Sequence, residues 1–156
     1  MQWIELDPGR SGEVAPEFSL RSGAGTRVTR SQHRQRCNLV LFFPPAGSPP
    51  PIAPVIDRLA AYRVRFDEAG ACLYAISAQK PPGEASPRLL IDPDGAVRAS
   101  FGEVFPEGDE PGAGEPFAVV LDRYSKPWYA GRGDPDDAAF DEALTKLWAI
   151  EYDCPE

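Results

Sequence analysis

Residues 38–54 read N-L-V-L-F-F-P-P-A-G-S-P-P-P-I-A-P. Leu39–Phe43 is an unbroken apolar run of β-formers, the pattern of a strand buried on both faces. Pro44 and Pro45 end it, because proline cannot donate to a sheet ladder. Beyond the loop, Ile52, Val55, Ile56, Leu59 and Phe66 fall mostly on three- and four-residue spacing, with Ala60 and Tyr62 nearby. That spacing predicts a helix with one apolar stripe against the sheet. Pro51 and Pro54 place its start near Pro54, since a residue before proline avoids the helical region and proline suits the first helical position. The order is buried strand, turn, helix. In an α/β sheet such a turn lies at the carboxyl end of a central strand, where sites are built.

The rest of the chain fits around this unit. Upstream, Phe18 and Leu20 alternate with polar residues, Ser22–Gly25 is a turn and Arg27–Arg30 a returning strand, which together predict an amino-terminal hairpin. Gln2–Leu6 reads as a short strand, and Ser31–Arg36 as a helical turn or loop. Downstream, Gly70–Ser77 is a second buried strand and Leu89–Ile91 a short one. Between them Ala78–Arg88, with three prolines and a glycine, is too broken for a full helix. Asp92-Pro-Asp-Gly95 is a turn, and Ala96–Phe101 continues as strand or helix. Pro116–Asp122 carries another buried strand, Tyr124–Lys126 a turn and Pro127–Ala130 its antiparallel partner. Asp134 and Pro135 read as cap and first residue of a last helix, whose stripe is Phe140, Leu144, Leu147, Trp148 and Tyr152.

The 156 residues suffice for one compact domain spanning 1–156. A net charge of -8 argues against general nucleic-acid binding. The lack of a bilayer-length apolar run and of a basic, apolar leader sets the expectation of a cytoplasmic protein with no membrane partner. Between Arg21 and Arg36 there are five arginines and no acids, which reads as a solvated edge hairpin. Cys37, Cys72 and Cys154 form neither a disulfide framework nor a C-x-x-C, and one histidine, His33, cannot make a histidine metal cluster. Asp92 and Asp94 belong to a turn and lack the ring of oxygen ligands of a calcium loop. There is no phosphate-binding loop or dinucleotide fingerprint, and Ser48 lacks a nucleophile-elbow context, so neither a cofactor nor a metal is expected.

Several stretches resemble the peroxiredoxins of the alkyl hydroperoxide reductase and thiol-specific antioxidant group. They are A-P-E-F-S-L (15–20), the end of the first buried strand at Phe42, Phe43 and Pro44, G-A-C-L-Y-A-I-S (70–77) and L-I-D-P-D-G-A-V-R-A-S-F-G (90–102). The resemblance covers roughly Ala15–Tyr152. It implies an α/β fold: a thioredoxin-like three-layer sandwich with an amino-terminal β-hairpin. It also implies an antioxidant oxidoreductase that reduces peroxide through a cysteine on the loop after the first buried strand. Laid on that loop, Ser48 and Pro49 stand where the family has threonine and proline, and the cysteine position is Pro51. The family's cis-proline before the next core strand falls on Pro116, and the arginine the family carries near that point is absent from Gly114–Pro116.

The vestigial loop of Pro44, Ser48 and Pro51 therefore implies a degenerate site. Pro49, Pro50 and Pro51 also remove three of the backbone donors that would lower a thiol's pKa at a helix start. Two readings follow. One is an oxidoreductase working through a displaced thiol, Cys154 or else Cys37. The other is a non-catalytic thioredoxin-fold binding or regulatory module, with a protein partner at the proline-rich loop. Cys37 stands at the wrong end of the strand, roughly 17–20 Å from the helix start, and Cys72 reads as a core residue of the second strand. Members of the family pair, so a homodimer is a further expectation.

Overall fold

The computed structural model describes residues 1–6, 13–47 and 50–153, without the side chains of Tyr152 and Asp153. Ser48 and Cys154 lie outside the described residues. The strands are β1 (Gln2–Glu5), β2 (Ser19–Ser22), β3 (Arg27–Thr29), β4 (Asn38–Phe43), β5 (Ala71–Ser77), β6 (Leu89–Ile91), β7 (Phe117–Leu121) and β8 (Pro127–Arg132). The helices are α1 (Ala53–Glu68), α2 (Ala96–Gly102) and α3 (Asp137–Asp153), with a single 3-10 turn at Ser31–His33. The strands form one sheet in the order β1-β8-β7-β4-β5-β6-β2-β3.

All six residues of β4 are buried, because this strand lies mid-sheet with both faces covered. It runs parallel to β5, with Leu41 opposite Tyr74, and antiparallel to β7, with Leu41 opposite Val119. Val40 and Phe42 face the core under α1 and α3, where Phe42 stacks on Phe140 at 4.2 Å between ring centroids. Leu39, Leu41 and Phe43 face the other core, with Phe18, Leu20 and Phe101 of α2. Helices on both faces of a mixed sheet make the thioredoxin-like three-layer sandwich. The β2–β3 hairpin closes one edge by pairing β2 with β6, so the arginine-rich segment does lie at a sheet edge. Arg30 departs from the solvated reading: it is buried, with Nε on the Pro16 carbonyl at 3.2 Å and Glu17 at 3.8 Å. Among the described residues no helix is long and apolar enough to cross a membrane.

One open alternative is settled and two expectations are revised. Ala96–Gly102 is a helix, because the turn before it ends on Gly95 in the left-handed region (φ 71) and the Asp92 carboxylate accepts the Arg98 amide. The last helix is capped by Asp136, whose Oδ1 accepts the Ala139 amide at 2.9 Å, so it starts after Asp134-Pro135. Its inner stripe is Ala139, Phe140, Ala143, Leu147 and Ile150, while Trp148 is half exposed.

Candidate functional site

The turn after β4 forms one wall of a cleft of about 260 Å³ at the carboxyl ends of β4 and β5. Pro44–Gly47 and Pro50 line one side, Ile76–Ala78 the floor, and Asp92–Gly95 with Arg98 the other side. Arg98 comes from the first turns of α2. Its Nη1 donates to the Pro44 carbonyl at 2.7 Å and its Nη2 to the Glu115 carbonyl at 2.6 Å. The guanidinium also lies 5.5 Å from the centroid of the Phe117 ring. Burial holds its pKa below the usual arginine value, partly offset by the charge of Asp92. The loop is tied a second time by the Ala46 amide, which donates to the Gly114 carbonyl at 3.0 Å. Gly114 is required there: it has φ +74, and a Cβ would stand 3.2 Å from that of Ala46. Arg98 thus clamps the β4 loop to the segment entering β7. At the start of α1, Pro51 and Pro54 have no N–H, and the Ile52 amide donates to the Pro50 carbonyl at 2.9 Å.

A second constellation lies at the other end of the same strands. Cys37, just before β4, and Cys72, on β5, share one face of the sheet, and their Sγ atoms are 2.8 Å apart, Cys37 donating. They edge an open cavity of about 660 Å³ with His33, Arg36, Tyr74 and Arg88. His33 Nε2 lies 2.8 Å from the Tyr74 hydroxyl, and Arg88 ion-pairs with Asp67 at 3.9 Å. The Cys37 hydrogen bond brings the Cys72 thiol down to about 7 against burial, with help from the charge of Arg88. Cys37 moves the opposite way, because it supplies that hydrogen bond and is itself buried beside a thiolate. Burial, then the charge of Cys72, pushes the Tyr74 hydroxyl up to about 12. Burial and the charges of Arg36 and Arg88 lower the His33 pKa.

No family model and no curated protein matches the chain. Solved structures do. Peroxidoxin BcpB of Mycobacterium tuberculosis is 26% identical, with a TM-score of 0.68 over 88% of this chain and 96% of its own. Peroxiredoxin Q of Xanthomonas campestris is 23% identical, with a TM-score of 0.66 over 85% of this chain and 90% of its own. The 2-Cys peroxiredoxin of Plasmodium vivax is 18% identical, with a TM-score of 0.65 over 91% of this chain and 96% of its own. The chain is peroxiredoxin-like.

In this peroxiredoxin-like fold the site residues expected from sequence separate. Pro44 lines the cleft, while Pro51 is exposed and outside its lining. Pro116 is half-buried and also outside the lining; its carbonyl accepts the Gly133 amide at 3.1 Å, and the carbonyl before it, of Glu115, is the one Arg98 holds. Ser48 and Cys154 lie outside the described residues. Arg98 is a cleft residue that sequence reasoning missed, because its side chain reaches the β4 loop from α2 and not from the segment before β7. The usable signal was the Asp92-Pro-Asp-Gly turn, which starts a helix whose third residue is Arg98. Cys72 is half-buried against Cys37 and not a core residue as expected, and the two thiols with His33 make a mixed cluster within 4.8 Å. Sequence spacing hides this cluster, since Cys72 belongs to the neighbouring strand.

Proposed function

We propose that this peroxiredoxin-like chain is an oxidoreductase-family protein whose ordinary peroxide-reducing position is silent. The observation that carries the reading is Pro51, the residue at the position of the reacting cysteine. Peroxide reduction by this fold begins when a thiolate attacks one peroxide oxygen and becomes a sulfenic acid. A proline within the chain offers no nucleophile for this: its nitrogen is a tertiary amide with the lone pair delocalised into the carbonyl, and its ring is otherwise saturated carbon. The donor set supports the same reading: a thiolate at this helix start would find few free N–H groups, and the Arg98 guanidinium beside the cleft is committed to two main-chain carbonyls.

The test is hydrogen peroxide consumption by the full chain with dithiothreitol as reductant, on the wild type and on Cys154→Ser. The expected rate in both is no greater than that of free cysteine at the same thiol concentration. Rapid turnover in the wild type that Cys154→Ser abolishes would overturn the reading and move the nucleophile to Cys154.

A further inference from the structure

We propose that Cys37 and Cys72 are a redox-active dithiol that exchanges with anionic low-molecular-weight disulfides of the glutathione class, with Cys72 as the attacking thiol. The two sulfurs, one just before β4 and one on the neighbouring β5, are held at 2.8 Å, within about 1 Å of the ~2.05 Å of a disulfide. Both thiols are half-buried at the rim of the large cavity, so a disulfide substrate reaches them from solvent. The direction of attack follows from the neighbours: the Arg88 guanidinium lies 6.0 Å from the ring of Tyr74, two residues along β5 from Cys72 on the same face, so the cation stands on the Cys72 side of the pair and favours the thiolate there. Arg36 and Arg88 outnumber Asp67, the ion partner of Arg88, so the rim keeps a net positive charge on a chain of net charge -8, which selects a disulfide carrying carboxylates.

The chemistry balances. Cys72 thiolate attacks one sulfur of the disulfide, breaks its S–S bond and expels one thiolate, leaving a mixed disulfide on Cys72. Cys37 then loses its proton to solvent or to the departing thiolate and attacks Cys72 Sγ. The mixed bond breaks and the second thiolate leaves. The substrate disulfide is reduced to two thiols by two electrons, and the Cys37–Cys72 disulfide forms. A metal at the same residues is the competing use of the cluster, since His33, Cys37 and Cys72 could each supply one ligand. Two features oppose it: His33 Nε2 already partners Tyr74 Oη, and the charges of Arg36 and Arg88 act on the same ring. The inference is independent of the cleft, because Cys37 and Pro44 are separated by the length of β4, roughly 20 Å at ~3.3 Å per residue.

The full chain carrying Cys154→Ser, so that the third thiol is silent, is equilibrated across ratios of reduced to oxidised glutathione, alkylated and mapped by peptide mass spectrometry. The expected product is a Cys37–Cys72 disulfide. In the added variant Cys37→Ser, a glutathione adduct accumulates on Cys72. In the added variant Cys72→Ser, adduct formation at Cys37 is slower, because Arg88 acts on Cys72 by both charge and hydrogen bond and on Cys37 by charge alone. Glutathione disulfide, relative to its reaction with free cysteine, reacts several-fold faster than the dication cystamine at low salt. Independent adducts at both cysteines without the intramolecular bond, or equal adduct rates in the two variants, would overturn the proposal. A preference for cystamine would overturn the anionic substrate. One tightly held zinc per chain that shields both thiols from alkylation would overturn the dithiol in favour of a metal site.

Discussion

Arg98 connects three parts of the chain that sequence order keeps apart. Its side chain bonds the carbonyls of Pro44 and Glu115, and its own amide donates to Asp92, which is buried. Hydrogen bonds from a charged donor are among the stronger ones, and truncation leaves carbonyls without partners. Arg98→Ala should therefore destabilise the fold by about 2–3 kcal/mol, measured as a lower urea midpoint at unchanged slope. His33 gives a second test at this scale, being the one histidine of the chain. Burial, then Arg36 and Arg88, lower its pKa from 6.5 in the folded state, so the unfolded chain takes up the proton first. Stability is intact above that ordinary value and declines as pH falls below it. His33→Gln should flatten this acid-side decline in a plot of unfolding free energy against pH, and an unchanged slope would remove His33 as its cause.

The elements differ in how far they were legible. β4 was readable because Leu39–Phe43 has no polar interruption and prolines mark its end, and α1 because Val55, Leu59, Tyr62 and Phe66 keep helical spacing up to a proline at its first turn. α3 was misplaced at its start because Asp134-Pro135 has the composition of a cap, whereas the acceptor used is Asp136, two residues on. Its stripe differs from the expected one because Trp148 is half exposed, while the small Ala139 and Ala143 are fully buried in the core. Asp136→Ala should cost about 1 kcal/mol, whereas Asp134→Ala should change thermal stability little, so equal losses would contradict this placement of the cap. The candidate site was legible only where it is local. The proline loop could be read from one stretch, but the Arg98 clamp and the Cys37–Cys72 contact each join residues from separate elements, and single-sequence periodicity carries no information on such meetings.

At the scale of the whole molecule, the sheet places two sets of polar chemistry at opposite ends of β4 and β5. One end holds the proline-lined cleft and its Arg98 clamp; the other gathers two thiols, a histidine, a tyrosine and two arginines. Charge distinguishes local from global control of the second set. The net charge of -8 repels an anionic disulfide, while Arg36 and Arg88 attract it at short range. If the local field governs, exchange with glutathione disulfide slows as salt rises and the Debye length shrinks from ~10 Å at 0.1 M. If net charge governed, it would quicken. The central claim, that sulfur chemistry has left the cleft, is tested most directly by a brief hydrogen peroxide pulse on the wild type in the presence of dimedone, which traps sulfenic acid, with each cysteine followed by mass spectrometry. The account predicts that no cysteine is trapped faster than free cysteine and that the slow oxidation ends in the Cys37–Cys72 disulfide. A dimedone adduct appearing on Cys154 orders of magnitude faster than on free cysteine would contradict it.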